Sequence, residues 1–214
     1  MQGILDLNNK YQNNADNFII SHSNFEAYNA ILSCKKWQNK RLLIIGLPKS
    51  GKTSLAKIWQ KNTDAIFLDN MENLENVKYN KSIIIDNMEN FSESSLINII
   101  NFVNERSLSL LLTSINYPSF SLKDLNSRIK ATYKVLINEP DENLLKLLIV
   151  KLFKQKQVKV SKEIVDFIFS TMKRNYEFAY EIVNLIDRFS KIAKRKITIP
   201  LVKKVAAQYN AVKL

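Results

Sequence analysis

The sequence predicts an α/β protein, a mostly parallel sheet flanked by helices, followed by a small all-helical domain. Three observations predict it. Apolar bursts at 41–46, 65–69, 82–86, 109–114 and 133–137 are short, rich in Ile, Leu and Val, and separated by helical segments or loops, which is the pattern of buried parallel strands. A glycine-containing loop joins the first burst to a helix-compatible segment. After Pro140 the bursts cease, and residues 141–155, 161–172, 176–193 and 199–210 carry apolar residues at three- and four-residue spacing, the period of amphipathic helices.

The elements follow in chain order. Residues 1–17 form a tail whose 8–17 portion is an Asn-rich linker, residues 18–139 the α/β domain, and 140–214 the helical domain. Ser23 followed by Glu26 has the spacing of a capping box opening a helix that runs to about Lys36. The strand at 41–46 then enters RLLIIGLPKSGKTSLAKI, residues 41–58, which contains a complete G-x-x-x-x-G-K-[ST] in strand-loop-helix context. Only three glycines occur in the 214 residues, and two of them, Gly46 and Gly51, stand where the loop demands them. Consecutive N–H groups of Lys49–Ser54 that converge at a helix start make an anion cradle, so the loop residues Gly46, Pro48, Lys49, Ser50, Gly51, Lys52, Thr53 and Ser54 are expected to hold nucleotide phosphates. Lys52 adds a mobile charge near the β- and γ-phosphates, and the Thr53 hydroxyl is expected on Mg²⁺.

A second acidic site should orient the metal, and two segments share the wording DNMEN, at 69–73 and 86–90. Local pattern does not separate them, since AIFL precedes Asp69 and SIII precedes Asp86. Downstream order favours Asp86: a helical segment at about 92–105 follows it, and then the strand LSLLLTS at 108–114, whose polar tip is suited to sensing phosphate. Thr53 and Asp86 are therefore the expected metal residues, with Asn87 and Thr113 beside them. Asn87 is an amide and cannot accept a proton from water. Glu89 is expected on the opposite face if the strand continues, so the sequence predicts better nucleotide binding than hydrolysis.

Composition narrows the setting. The net charge is +12, but 26 of the 32 basic residues are scattered lysines in a chain rich in Asn and Ile, so codon bias and a nucleic-acid footprint remain alternative sources of the charge. One cysteine, Cys34, allows no internal disulfide, and with one histidine, His22, zinc-type sites are excluded. No apolar run reaches about 18 residues and no export signal opens the chain, so a cytoplasmic protein without a membrane partner is expected.

Taken together the motifs resemble the DnaA/Hda branch of AAA+ P-loop proteins, in particular its short alphaproteobacterial Hda form. DNFIISHSNFEAYNAI at 16–31 is similar to the family's entry segment, IIIDNME at 83–89 to its acidic strand, and LLLTSINYPSFSLKDLNSRI at 110–129 to the sensor strand leading to the box VII arginine, here Arg128. PDENLLKLLIVKLFKQKQVKV at 140–160 and KITIPLVKKV at 196–205 resemble its lid. The resemblance implies an AAA+ P-loop NTPase domain with a helical lid, ADP or ATP with Mg²⁺ as cofactors, and weak or no ATPase activity of its own. It implies a negative regulator of replication initiation that supplies Arg128 in trans to ATP held by the DnaA initiator. It also implies an amino-terminal peptide docked on the sliding clamp of DNA polymerase III, with Gln2, Ile4, Leu5 and Leu7 as clamp residues, and DNA reached indirectly through the loaded clamp. Homo-oligomers are compatible with this plan. The pattern departs from the family at Gly3, at Ile115 where an acid is common, and in KRNYEFAYEI, where Glu177 stands in place of the lid arginine and Arg174 lies three residues earlier. With the carboxyl end at Leu214, no helix-turn-helix DNA-binding domain is expected. Two alternatives stay open: a DNA-binding AAA+ replication factor related to initiators or helicase loaders, and an autonomous ATPase motor.

Overall fold

A computed structural model describes residues 18–69 and 81–212. Its contacts divide the chain into two compact units, one of residues 22–138 and one that joins residues 18–21 to 139–212. The first unit contains α1 (Phe25–Leu32), β1 (Arg41–Gly46), α2 (Lys52–Thr63), β2 (Ile66–Phe67), β3 (Ile83–Ile85), α3 (Glu93–Glu105), β4 (Leu110–Ser114), α4 (Lys123–Lys130) and β5 (Tyr133–Ile137). The second contains α5 (Glu142–Gln155), α6 (Lys162–Thr171), α7 (Tyr176–Ala193) and α8 (Ile199–Val212).

All five strands are parallel, in the order β2-β3-β4-β1-β5. Every residue of β1 and β4 is buried, which is why both read as unbroken apolar runs, whereas the edge strands β2 and β5 are only partly covered. Side chains alternate between faces. On one face Leu43 and Ile45 of β1, Leu110 and Leu112 of β4 and Ile83 and Ile85 of β3 form a core with α3 and α4, through Leu96, Ile99, Ile100 and Val103 of α3 and Leu125 and Ile129 of α4. The 3- and 4-residue spacing of those helical positions is the stripe that a sheet-facing helix needs. Helices α1 and α2 pack on each other, α2 also packs on β1 and β4, and α1 packs on β5.

The predicted fold class is what the chain adopts, with local differences. The capping box does not form: the residue before α1 is Asn24, which makes no side-chain cap, and the helix ends at Leu32 before two short 3₁₀ turns, Cys34–Lys36 and Gln38–Lys40. Trp37 lies between those turns, donating from Nε1 to the Ala30 carbonyl (2.7 Å) and stacking at 5.0 Å on the buried Trp59 of α2. Fixing Trp37 against both helices stops α1 from continuing.

Capping side chains begin three of the other helices. Ser92 accepts from Ser95 N, Asp141 from Leu144 N and Asn175 from Phe178 N, each satisfying an N–H that the helix itself cannot. In the helical unit α5 packs on α6 and α7, and α8 on α6 and α7. Asp187 of α7 is buried but paired, with Lys191 at 2.9 Å and Lys156 at 3.4 Å, which a buried carboxylate requires. Among the described residues no helix is long and apolar enough to cross a membrane.

Candidate nucleotide site

Strand order builds the site. Because β4 lies between β1 and β3, the carboxyl ends of three neighbouring strands deliver the phosphate loop, a hydroxyl-bearing tip and the acid in a row. Gly46 ends β1 in register with Ile137 of β5, and a Cβ there would stand 2.8 Å from Ser50 Oγ and 3.0 Å from Ile137 Cβ, so only glycine lets the loop fold back this closely. Gly51 has φ 105°, a conformation that L side chains rarely adopt, and it is the residue from which α2 starts. The loop's curvature thus rests on the two glycines that the sequence points to.

The N–H groups of Lys52, Thr53 and Ser54 open α2 and have no carbonyl one turn back within the helix, so they face the loop as donors. Thr53 and Ser54 are exposed, as are Leu47 and Lys49, while Pro48 is half-buried. Ser50 is buried and its hydroxyl has no hydrogen-bond partner, an orphaned polar atom inside the cradle. Lys52 is buried and donates from Nζ to the carbonyls of Gly46 (2.7 Å) and Leu47 (3.2 Å). Burial holds its pKa below the ordinary lysine value, while the carboxylates of Asp86 and Glu89 pull it back up. A buried cation leaning on the loop's own carbonyls, next to an unpaired hydroxyl and free helix-start amides, fits the phosphates of a nucleotide.

Of the two DNMEN segments, the one at 86 enters this site. Thr53 Oγ1 donates to Asp86 Oδ2 and Thr113 Oγ1 donates to Asp86 Oδ1, both at 2.6 Å. Asp69 follows the edge strand β2, separated from β1 by β3 and β4, and is exposed. The hard oxygens of Thr53 and Asp86 suit Mg²⁺. Thr113 is fully buried and its hydroxyl also accepts from Asn87 N (2.8 Å), so it orients the acid.

Glu89 is reached by a turn rather than along a strand. The strand does not continue past Ile85: Asn87 takes left-handed backbone (φ 59°), a 3₁₀ turn spans Met88–Asn90, and the chain swings Glu89 back over the tip of β4. Its Oε1 accepts from Ile115 N (2.5 Å) and lies 2.7 Å from the Ser114 hydroxyl, whose single proton also has the Asn116 carbonyl within reach at 2.5 Å. The strand on which the alternation argument was conditional ends early, at an asparagine tolerant of φ > 0 directly after the acid, yet Glu89 still meets Ser114, which shares the face of Leu110 and Leu112, opposite Thr113 and Asp86.

Arg128 stands elsewhere. Helix α4 descends from the carboxyl end of β4 to the amino end of β5, and Tyr133 of β5 is in register with Leu42 of β1. The arginine therefore lies toward the opposite end of β1 from Gly46, roughly 15 Å away along a strand of this length. Its Nε donates to Asp124 (2.8 Å) and its Nη1 to Asn101 of α3 (2.9 Å). Arg41, first residue of β1, is buried with its Nε unpaired, and burial together with the Arg128 charge lowers its pKa.

At its other end α4 is held by Glu93, whose two carboxylate oxygens accept from Ser121 N (2.9 Å) and Leu122 N (2.8 Å). Those bonds to Ser121 first and Leu122 second lower the Glu93 pKa. A depressed carboxylate stabilises its anchor above the ordinary value of 4.5 and loses it as the pH falls below that value. Acidification from pH 6 to 3 is thus expected to lower the protection factors of the Ser121 and Leu122 amides, the intrinsic pH dependence of exchange divided out, and Glu93→Gln to make those protection factors independent of this titration.

In the helical unit, the Arg174 guanidinium lies 5.3 Å from the Phe169 ring centroid. Gln2, Ile4, Leu5 and Leu7 lie outside the described residues.

Residues 141–206 match the family described as Hda, lid domain. The chromosomal replication initiator protein DnaA of Buchnera aphidicola is 27% identical over 236 aligned positions, covering 94% of this chain and 53% of that protein. The chain spans between about half and three fifths of the length of the curated relatives it matches, 53% and 61%. Among solved structures, domain III of Thermotoga maritima DnaA superposes with a TM-score of 0.72 at 16% identity, over 91% of this chain and 97% of that one. AMPPCP-bound DnaA from Aquifex aeolicus gives 0.61 at 18% identity, over 80% of this chain and 63% of that one. Residues 141–206 thus match an Hda lid domain, and the chain as a whole, with its five-stranded parallel sheet, is similar to DnaA-type proteins along nearly all of its length.

Proposed function

We propose that this chain is an Hda-like negative regulator of replication initiation: it binds ADP or ATP with Mg²⁺, is moored to the DNA-loaded sliding clamp by Gln2, Ile4, Leu5 and Leu7, and promotes hydrolysis of the ATP held by the DnaA initiator. The observation that carries the proposal is the placement of Arg128. An arginine at the far end of β1 from its own phosphate loop is out of reach of its own nucleotide, so its use lies in a neighbouring molecule's site.

The geometry supports the following roles. Gly46, Pro48, Lys49, Ser50, Gly51 and Ser54 form the cradle, Lys52 pairs with phosphate oxygens, and Thr53 with Asp86 holds the metal, which when bound offsets phosphate charge. Thr113 and Asn87 keep Asp86 in place. Support for nucleotide binding comes from the orphaned Ser50 hydroxyl and from the AMPPCP-bound neighbour. Arg128 stabilises charge that develops on the partner's transferring phosphoryl group. The setting is the cytoplasm, DNA is met through the clamp, and a homo-oligomer is compatible with the partly exposed Arg128.

A pull-down with purified sliding clamp tests the mooring. Wild type is expected to be retained, and a Gln2/Leu5/Leu7 triple-alanine variant to be lost at least tenfold, since a paired amide contact and two apolar anchors are removed together. Equal retention of the two would sink the tether.

The net charge of +12 favours one second reading, a DNA-binding AAA+ factor. Binding to duplex without clamp that weakens steeply with salt and is indifferent to residues 2–7 would favour it.

A further inference from the structure

We propose that Arg41 and Arg128 together form a receptor for a phosphate monoester at the amino end of the sheet, and that it takes the terminal phosphate of a nucleotide bound to a neighbouring molecule. This rests on the reading of Arg128 as a group used in trans, and it adds Arg41 as a second binding residue.

Alternation along β1 places Arg41 on the face of Leu43 and Ile45, the face covered by α3 and α4. Its partner in register on β4, Leu110, belongs to the same core. Arg128 comes to that face from α4, and its Nη1 donates to Asn101 of α3. On the other side of β1, Lys134 of β5 is in register with Leu43 and so shares the face. Three cations thus meet where α4 ends.

Their counter-charges do not match them. Among the described residues one carboxylate, Asp124, is bonded to any of the three, and it is engaged by Arg128 Nε at 2.8 Å. Lys134 leans on the carbonyls of Lys130 (2.7 Å) and Thr132 (3.1 Å). Arg41 is only 5% exposed, and its Nε has no hydrogen-bond partner. Burial first, and the nearby Arg128 charge second, lower its pKa. A guanidinium buried with an unpaired donor beside a like charge destabilises the unliganded fold. An oxyanion that meets both arginines removes the repulsion and supplies the missing acceptor.

The arrangement favours a monoester over a diester. Arg41 is buried while 28% of the Arg128 side chain is exposed, so the pair offers an inner and an outer donor. A terminal phosphate carries close to two negative charges and three free oxygens, enough to engage both. A nucleic-acid diester carries one charge between two ester links, which suits an open surface better than this corner.

The test follows the Nε–H signals of Arg41 and Arg128 by NMR as methyl phosphate or dimethyl phosphate is added at pH 8 and constant ionic strength. Arg41→Met and Arg128→Ala assign the signals, and anion binding in the chain's own phosphate loop is read apart from them, because that loop leaves the other end of β1. Methyl phosphate is expected to shift both signals with one midpoint, and dimethyl phosphate to bind at least tenfold more weakly. Arg41→Met should weaken methyl phosphate binding at Arg128 by about 10- to 100-fold, the worth of a charge-assisted hydrogen bond, and lower stimulation of DnaA-bound ATP hydrolysis by a similar factor. Its melting temperature should hold or rise, since a buried unpaired charge is gone, whereas an arginine kept for stability would lower it. Three results would overturn the proposal: an Arg41 signal that methyl phosphate leaves in place, an unchanged Arg128 midpoint in Arg41→Met, or equal binding of dimethyl phosphate, which would give the corner to a nucleic-acid backbone. Phosphate binding as expected in a wild type that does not stimulate DnaA would remove the DnaA reading and leave the receptor standing, so the two failures are distinguishable.

Discussion

Arg128→Ala is expected to reduce stimulation of DnaA-bound ATP hydrolysis by about 10³- to 10⁵-fold, the range that arginine fingers supply. Nucleotide binding by the chain itself should not change, because the arginine lies at the far end of β1 from Gly46. Stability should barely move. The Arg128–Asp124 pair is an i,i+4 contact with both side chains partly in water, a type worth roughly 0.3–0.5 kcal/mol. Arg128→Lys should recover little: Asp124 and Asn101 engage two nitrogens of a planar fork and leave the third for the ligand, a division that a single ammonium cannot copy. The buried charge of Arg41 on the same side adds repulsion against any inward collapse of Arg128. The readout is single-turnover hydrolysis of DnaA-bound ATP with clamp and duplex supplied. Unaltered stimulation by the alanine variant would end the finger assignment.

The second large effect is on nucleotide affinity. Lys52→Ala should weaken triphosphate binding by about 100-fold or more, since charge-assisted bonds contribute about 1.5–3 kcal/mol each and the lysine has more than one phosphate oxygen within its range. The unliganded protein should not suffer equally. Burial lowers the Lys52 pKa, so in the window just below the ordinary value of 10.5 the folded chain binds fewer protons than the unfolded one, and stability rises with pH. That slope should shrink in Lys52→Ala. Urea unfolding at pH 8 and 10, alongside the shift in melting temperature produced by added nucleotide, separates the two effects. A variant that keeps the nucleotide-induced shift would refute the role of Lys52.

Parallel strands buried on both faces announce themselves as continuous apolar runs, and so β1 and β4 were legible nearly to the residue; the partly covered edge strand β5 and the helices after Pro140 were legible as closely. The phosphate loop was legible because its glycines are so few. Strand order was not, because no local pattern encodes that β4 inserts between β1 and β3, and that insertion is what joins Thr113 to Asp86. The path to Glu89 was not legible for a related reason: a period-2 rule holds only while the strand lasts, and the left-handed turn at Asn87 is a backbone event within an otherwise ordinary polar stretch. The Ser23–Glu26 spacing promised a cap, but the helix starts one residue later, after the buried Asn24, as local signals are often overridden.

The turn at Asn87 also bears on how such a chain could evolve. Asparagine sits comfortably at φ 59°, whereas a longer acidic side chain in that geometry is strained by about 1 kcal/mol. Any descendant that replaced Asn87 by a longer acid would therefore meet a steric hurdle at the codon beside Asp86.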